Sequence, residues 1–281
     1  MDRFQDRQHV WLRSSVHRGY LNANSDGKSV SLRSRRASLQ AAWAVHIYHG
    51  DGGAVYLLLH SAAYGRYLAA TATRAPFGRG FRTEQSEYNQ VEVHAIMWRA
   101  MVVGLGNEIV LRNVGGRYLR ANGKILRCNN DVTVDDIASV SNMMYWTVEP
   151  IPLREPGMPA PIPTRIPREL SVMLGHDRSV WRVIRFVQAS EEGLFTDVRW
   201  SAFLFNGRYV YHLRNELAKR IDNDQNFAMC VRAGRYGRLT PLIVNLPHGG
   251  DGETLEIVVY ISNTPAYNLL RHPDVRAKQE S

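Results

Sequence analysis

A motif that recurs three times at about fifty-residue spacing, a proline-dense stretch at mid-chain and a helical pattern set among short strands predict a mainly β protein of two domains. The first is expected to be a β-trefoil of three four-stranded repeats, the second a smaller α+β domain. The three copies are VWLRSSVHRGYLNAN (10–24), VYLLLHSAAYGRYLAAT (55–71) and IVLRNVGGRYLRAN (109–122). Each places an alternating strand, a short Gly-containing turn and then Tyr-Leu-x-Ala opening a second strand. The anchors Tyr20, Tyr67 and Tyr118 stand 47 and 51 residues apart.

A third alternating segment follows in each copy (SVSLRS 29–34, GFRTEQ 80–85, KILRCN 124–129), and then a fourth strand bearing Trp43, Trp98 or Trp146. One such unit cannot bury its own apolar face, so three close a core together. In the first strand Val10, Leu12 and Ser14 share one face while Trp11 and Arg13 share the other, the period of a half-buried antiparallel strand. The Tyr and Trp anchors are expected to pack in the core and barrel cap.

Seven of the twelve prolines fall between Pro150 and Pro167, which reads as a semi-rigid extended linker, 150–167, between domains 1–149 and 168–281. In the second domain WRVIRFVQA (181–189), WSAFLF (200–205), MCVRA (229–233), PLIVNL (241–246) and TLEIVVYI (254–261) read as strands. YVYHLRNELAKRI (209–221) places Val210, Leu213, Leu217 and Ile221 at helical spacing, with Glu216 and Arg220 as an i,i+4 pair. The order β-β-α-β-β-β suggests a ubiquitin-like β-grasp, with a type I′ hairpin at Asn206-Gly207 as the competing arrangement.

The 281 residues carry no apolar run of membrane-spanning length, and the first ten residues lack a secretory or transit pattern. Two cysteines, Cys128 and Cys230, are too few for a disulfide framework, and Asn-x-Ser/Thr is absent. A soluble cytoplasmic protein is expected, with cytoskeletal or nuclear association compatible. The formal charge is +9, with 18 basic against 12 acidic residues in 1–149 and 17 against 14 in 150–281. This balance favours acidic partners.

With the repeat in view, strands of the form V-x-L-R-S, then G-R-Y-L-x-A, then a Trp-bearing strand, resemble the fascin-like, actin-cross-linking-type β-trefoils over about the first 150 residues. The whole chain is also similar to a plant family of unassigned activity, in which such a trefoil precedes a Pro-rich linker and a smaller domain. The segments that carry this likeness are GRYVYHLRNEL (207–217) and RAGRYGRLTPL (232–242). The fascin likeness implies contact with actin. Filament bundling in that family needs several trefoils, and this chain has one, so binding without bundling is the implication.

G-x-S-x-G, the P-loop, the dinucleotide glycine fingerprint and H-E-x-x-H are all missing, and no cofactor or metal is expected. HGGDG (248–252) resembles a Gly-rich oxyanion segment but has no serine elbow, so it and HGDGG (49–53) read as loops. His46 and His49 lack a Cys or carboxylate at ligand spacing. Residues two before each repeat Trp are Ala41, Ile96 and Met144, so the Q-x-W of ricin-type sugar binding is absent.

The candidate binding surface is a basic face: Lys28, Arg33, Arg35, Arg36, Arg66, Arg117, Arg120 and Arg127, with Lys124 beside them, on hairpins of the three repeats. RSRRASL (33–39) also presents Arg-Arg-x-Ser with Ser38 as a kinase acceptor, where a phosphate beside Arg35 and Arg36 would oppose an acidic partner. The expectation is therefore a non-enzymatic binding protein whose partner is a protein, actin or another acidic surface. A phosphoinositide or RNA adaptor is the alternative. A hydrolase or transferase with a site at the domain junction near His212, Arg235 and Tyr236 is the remaining one. Oligomeric state is not encoded in any of these features.

Overall fold

The computed structural model describes residues 3–76, 80–91, 93–104, 107–122, 131–136, 141–155, 161, 180–196, 199–221 and 226–277. The first repeat forms β1 (His9–Ser14), β2 (Tyr20–Ala23), β3 (Val30–Arg33) and β4 (Trp43–His49). The second forms β5 (Val55–Ser61), β6 (Tyr67–Arg74), β7 (Phe81–Ser86) and β8 (Trp98–Val102). The third forms β9 (Glu108–Asn113), β10 (Tyr118–Ala121), β11 (Val132–Asp135) and β12 (Trp146–Ile151).

The outer strands of each repeat close a barrel, because β1 pairs β4, β4 pairs β5, β5 pairs β8, β8 pairs β9, β9 pairs β12 and β12 returns to β1. The inner hairpins β2–β3, β6–β7 and β10–β11 cap it. This is the expected β-trefoil. The three tryptophans are fully buried, and each indole N–H donates to the carbonyl of the repeat's Tyr-Leu leucine: Trp43 to Leu21 (3.0 Å), Trp98 to Leu68 (2.9 Å), Trp146 to Leu119 (3.0 Å). A buried indole needs such an acceptor, so these bonds tie each fourth strand to its own cap hairpin. Val10 and Leu12 join Leu21, Leu57, Leu59, Leu111 and Leu119 in the common core. Trp11, on the opposite face, is buried among Tyr20, Ala41, Ala62 and Ile151.

Two sequence expectations shift here. The third strand of the third repeat is Val132–Asp135, paired in register with Tyr118–Ala121, whereas 124–129 lies outside the described residues. Pro150, assigned to the linker, sits inside β12 opposite Val10; β12 is one residue from its end there, where a missing N–H costs little.

The second domain contains β13 (Trp181–Gln188), β14 (Ser201–Asn206), α1 (Val210–Ala218), β15 (Phe227–Arg232), β16 (Leu239–Pro241), β17 (Thr254–Ile261) and the short α2 (Pro265–Asn268). The sheet order is β14-β13-β17-β15-β16, with β13 and β17 parallel at the centre. This is the ubiquitin-like arrangement expected from the element order. Central strands covered on both faces need continuous apolar runs, which IVVY in β17 supplies. Val210, Leu213 and Leu217 of α1 pack one face against Ile184, Phe186, Met229, Ile257 and Val259. Glu216 and Arg220 pair at 2.8 Å, as their spacing implies.

The hairpin alternative at Asn206-Gly207 does not occur. Gly207 takes φ 107°, its N–H bonds to Val180 O (2.9 Å), and the chain turns into α1. PLIVNL is likewise not a strand: pairing with β15 ends at Pro241, which has no N–H to continue the ladder. Beyond it Leu242 and Leu246 plug the core under α1, and the Asn245 side chain accepts from Val210 N–H (3.3 Å) at the start of that helix. No described helix is long and apolar enough to cross a membrane.

Candidate functional site

The hairpins of the trefoil scatter the basic residues. Arg33 ends β3 and, with Arg35, is exposed beside a recess of about 330 Å³ lined by Asn22, Asn24, Ser34, Ser38 and Gln40. The recess is polar by construction, because Asn24 accepts from Asn22 (3.2 Å) and the Ser31 hydroxyl (2.7 Å) while donating to Ser29 Oγ (2.8 Å). Ser38 Oγ accepts from the Ala41 N–H (3.3 Å) at its rim. Among the described residues neither Arg33 nor Arg35 makes an ion pair.

Most of the other described members of the set are engaged within the chain. Arg36 stacks over Trp11 (4.8 Å), donates to Ala277 O (3.2 Å) and lies 3.9 Å from the buried Glu149. Arg117 covers the Phe81 ring at 3.5 Å and donates to Thr71 O (3.1 Å), and Arg120 holds Asp135 at 2.6 Å. Lys28 stands 3.8 Å from Glu84. Arg66 reaches out of the trefoil, donating to Gly27 O and to Glu253 of the second domain, each at 2.7 Å. Arg127 lies outside the described residues. The structure thus brings Arg33, Arg35 and Ser38 together at one recess and disperses the other described members of the set.

Arg66 belongs to an extensive junction between the two domains. Tyr88 donates its N–H to Ala233 O (2.9 Å), and Tyr236 donates to Tyr88 O (2.8 Å), so the segments pair through backbone as adjacent strands do. Between them Gly234 (φ +89°) has no room for a side chain, since a Cβ there would stand 2.6 Å from Tyr88 backbone atoms. The Arg235 N–H donates to Asn89 Oδ1 (3.1 Å). The Arg238 N–H donates to the Tyr67 hydroxyl (3.0 Å), while its guanidinium grips Asp6 at 2.8 and 3.0 Å. The HGGDG segment is part of the same seam: His248 N–H bonds Ser25 O (2.7 Å), and buried Arg182 donates to Pro247 O (2.7 Å) and Gly249 O. His212, by contrast, sits on α1 with its ring against Tyr209 and Tyr211.

Three histidines line this seam. His60, fully buried, contacts Thr240 Oγ1 through Nδ1 (3.1 Å), and His46 contacts the Tyr67 hydroxyl (3.0 Å). Burial holds His60 well below the ordinary imidazole range and takes His46 and His9 down to about 4, so all three rings are neutral at pH 7. His60 occupies the position that pairs with the repeat tyrosine; its counterparts are Arg13 opposite Tyr20 and Arg112 opposite Tyr118. A neutral imidazole accepts desolvation that a guanidinium resists, so the repeat departs from arginine where the second domain covers it. That departure was visible in the sequence as LLLHS among V-x-L-R-S strands and marks the trefoil side of a junction of which the sequence had named Arg235 and Tyr236, with His212 misplaced there.

A cleft of about 410 Å³ opens beside this seam. Trefoil residues Arg7, His9, Ala44 and His60 face Arg238–Pro241, Tyr260 and Ala266 of the second domain, with Leu269–Arg271 closing one side. Among the described residues no cluster of His, Cys, Asp or Glu could hold a metal ion.

A family model described as a β-trefoil domain of unknown function (DUF569) matches residues 1–149, and a model described as a DUF569-associated ubiquitin-like domain matches residues 180–260. No curated protein matches the chain significantly. Solved structures similar to its trefoil include the SDF2-like protein from Arabidopsis thaliana (12% identity, 51% of this chain and 92% of that one, TM-score 0.44). Another is the Macrolepiota procera ricin B-like lectin in complex with lactose (16%, 52% and 97%, TM-score 0.42). A designed three-fold symmetric protein, ThreeFoil, is comparable (18%, 50% and 97%, TM-score 0.42). At these scores they carry no argument about what this chain binds.

Proposed function

We propose, for a chain that belongs to the DUF569 β-trefoil family, that it is a non-enzymatic interaction protein whose trefoil docks an acidic protein surface through Arg33 and Arg35. Filamentous actin, suggested by the likeness of the repeats to fascin-like trefoils, is the first such surface to try, in a cytoplasmic setting. The sorting of the basic residues carries this reading: Arg33 and Arg35 face solvent beside a polar recess, while Arg36, Arg66, Arg117 and Arg120 are spent on internal partners. A planar guanidinium that is not already paired is the group best suited to take a carboxylate in two parallel hydrogen bonds. The neutral, hydrogen-bonded rings of His46 and His60 support a structural role at the junction over an acid–base one.

The test is co-sedimentation of the full chain with filamentous actin at low and near-physiological salt, with the Arg33→Glu/Arg35→Glu variant alongside. Saturable pelleting at both salts that the variant loses by about ten-fold or more in affinity supports the proposal. Pelleting that the variant retains, or that vanishes at physiological salt, overturns it. Ser38→Asp, which places a charge in the same recess, is expected to weaken the interaction in the same assay.

A further inference from the structure

The cleft at the domain junction has the composition of a ligand site, and neither domain owns it. Its floor is apolar, from Ala44, Leu239, Pro241, Tyr260, Ala266 and Leu270, and its volume of about 410 Å³ lies in the range of small-molecule pockets. Its mouth is cationic. Arg7 and Arg271 are exposed there and among the described residues make no ion pair, whereas Arg238 is held by Asp6 and a single carboxylate, Glu192, stands at the edge. The Arg7 backbone is fixed in the left-handed region (φ 65°) with its N–H bonded to Val45 O (2.9 Å), so its side chain springs from an anchored base.

The lining also contains an unsatisfied polar atom. His9 is only 7% exposed and lines the cleft, yet among the described residues its Nδ1 has no hydrogen-bond partner. That nitrogen is itself shut off from solvent, so it is a cost on the order of 1–3 kcal/mol borne by the fold, and a molecule in the cleft would meet the rest of the ring. Burial, with the nearby His272 and Arg271 charges, pushes His9 down to about 4, so at pH 7 the ring is neutral and one nitrogen offers an N–H.

We propose that this cleft binds a small amphipathic carboxylate, its apolar body on the Leu239–Tyr260–Leu270 floor and its carboxylate between Arg7, Arg271 and the His9 ring. Burying the body supplies affinity, while the guanidiniums and imidazole select the anion.

The test is isothermal titration of the full chain with 4-phenylbutyrate, its uncharged amide and acetate. The expected result is saturable binding of 4-phenylbutyrate with a Kd on the order of 0.1–1 mM, and binding of the amide and of acetate at least about ten-fold weaker. Arg7→Gln/Arg271→Gln, at exposed positions that leave the fold intact, is expected to weaken 4-phenylbutyrate about ten-fold, while Arg33→Gln/Arg35→Gln leaves it unchanged. Absence of saturable binding, equal binding of the amide, or insensitivity to the Arg7/Arg271 change overturns the proposal.

Discussion

The junction histidines make the stability of this protein steeply acid-sensitive, and the size of the effect follows from His9. Its pKa falls from 6.5 unfolded to about 4 folded, because burial penalises the imidazolium, and the charges of His272 and Arg271 add to that penalty. The unfolded chain therefore binds more protons between pH 6.5 and pH 4, and stability declines as the pH drops through that window. By pH 4.5 His9 alone removes about 2.5 kcal/mol relative to pH 7.5, and its full effect below both pKa values is about 3 kcal/mol. His60, facing His9, His46, Arg238 and Asp6, acts with the same sign, and so does His46. Asp6 and Asp26 titrate in a separate window. Burial alone would raise them, but hydrogen bonds, from Arg238 and the Ile47 N–H to Asp6 and from Ser29 and the Lys28 N–H to Asp26, outweigh it and hold both below 3.8. Urea unfolding at pH 7.5 and 4.5, for the wild type and for His9→Gln, measures the effect. The difference between the two pH values should shrink by about 2.5 kcal/mol in the variant, whatever the variant costs at neutral pH. Equal pH dependence in both proteins, or a flat wild-type profile, refutes the assignment of a buried neutral imidazole.

Two further perturbations address the docking itself. His60→Arg restores the residue that the other repeats carry, yet places an unpaired guanidinium where His60 is fully buried, at a cost of about 3–5 kcal/mol. The radius of gyration from small-angle scattering should rise while β circular dichroism persists; an unchanged radius and Tm would contradict it. Gly234→Val drives a side chain into the Tyr88 backbone, and hydrogen exchange at the Tyr88 and Tyr236 amides should accelerate about thirty-fold or more, an opening cost near 2 kcal/mol. Gly52→Ala, at φ +67° with nothing within 4 Å, is the control for backbone strain without a clash, and should leave those amides protected.

What the sequence disclosed follows the range of the interactions involved. The trefoil was legible because its signal is repeated: Tyr20, Tyr67 and Tyr118 mark equivalent hairpins, and Trp43, Trp98 and Trp146 make one hydrogen bond three times over. The helix at Val210–Ala218 was legible because its period and its Glu216–Arg220 pair are local. PLIVNL misled because a short apolar run does not separate a strand from a core plug, and the Asn245 bond to Val210 that settles it is tertiary. The basic face misled in part for the same reason. Alternation places Arg66 and Arg33 alike on hairpin edges, but the Glu253 that takes Arg66 lies 187 residues away. Charge counting cannot see such a partner.

The same junction decides how the trefoil should be assayed. Taken alone, residues 1–149 would expose the surface that the second domain now covers: His60 and Tyr67, fully or almost fully buried, and Tyr88, whose ring lies 5.4 Å from Tyr67 and 5.7 Å from Tyr236. It would also free Arg66 from Glu253 and Asp6 from Arg238, changing the charge pattern at the edge of the cap. A contiguous aromatic patch newly open to water associates with other surfaces on its own account. Pelleting of an isolated trefoil with a filament would therefore mix that stickiness with any contact made by Arg33 and Arg35. Loss of pelleting in the full chain on charge reversal of those two residues isolates the second, because among the described residues neither guanidinium makes a hydrogen bond across the junction.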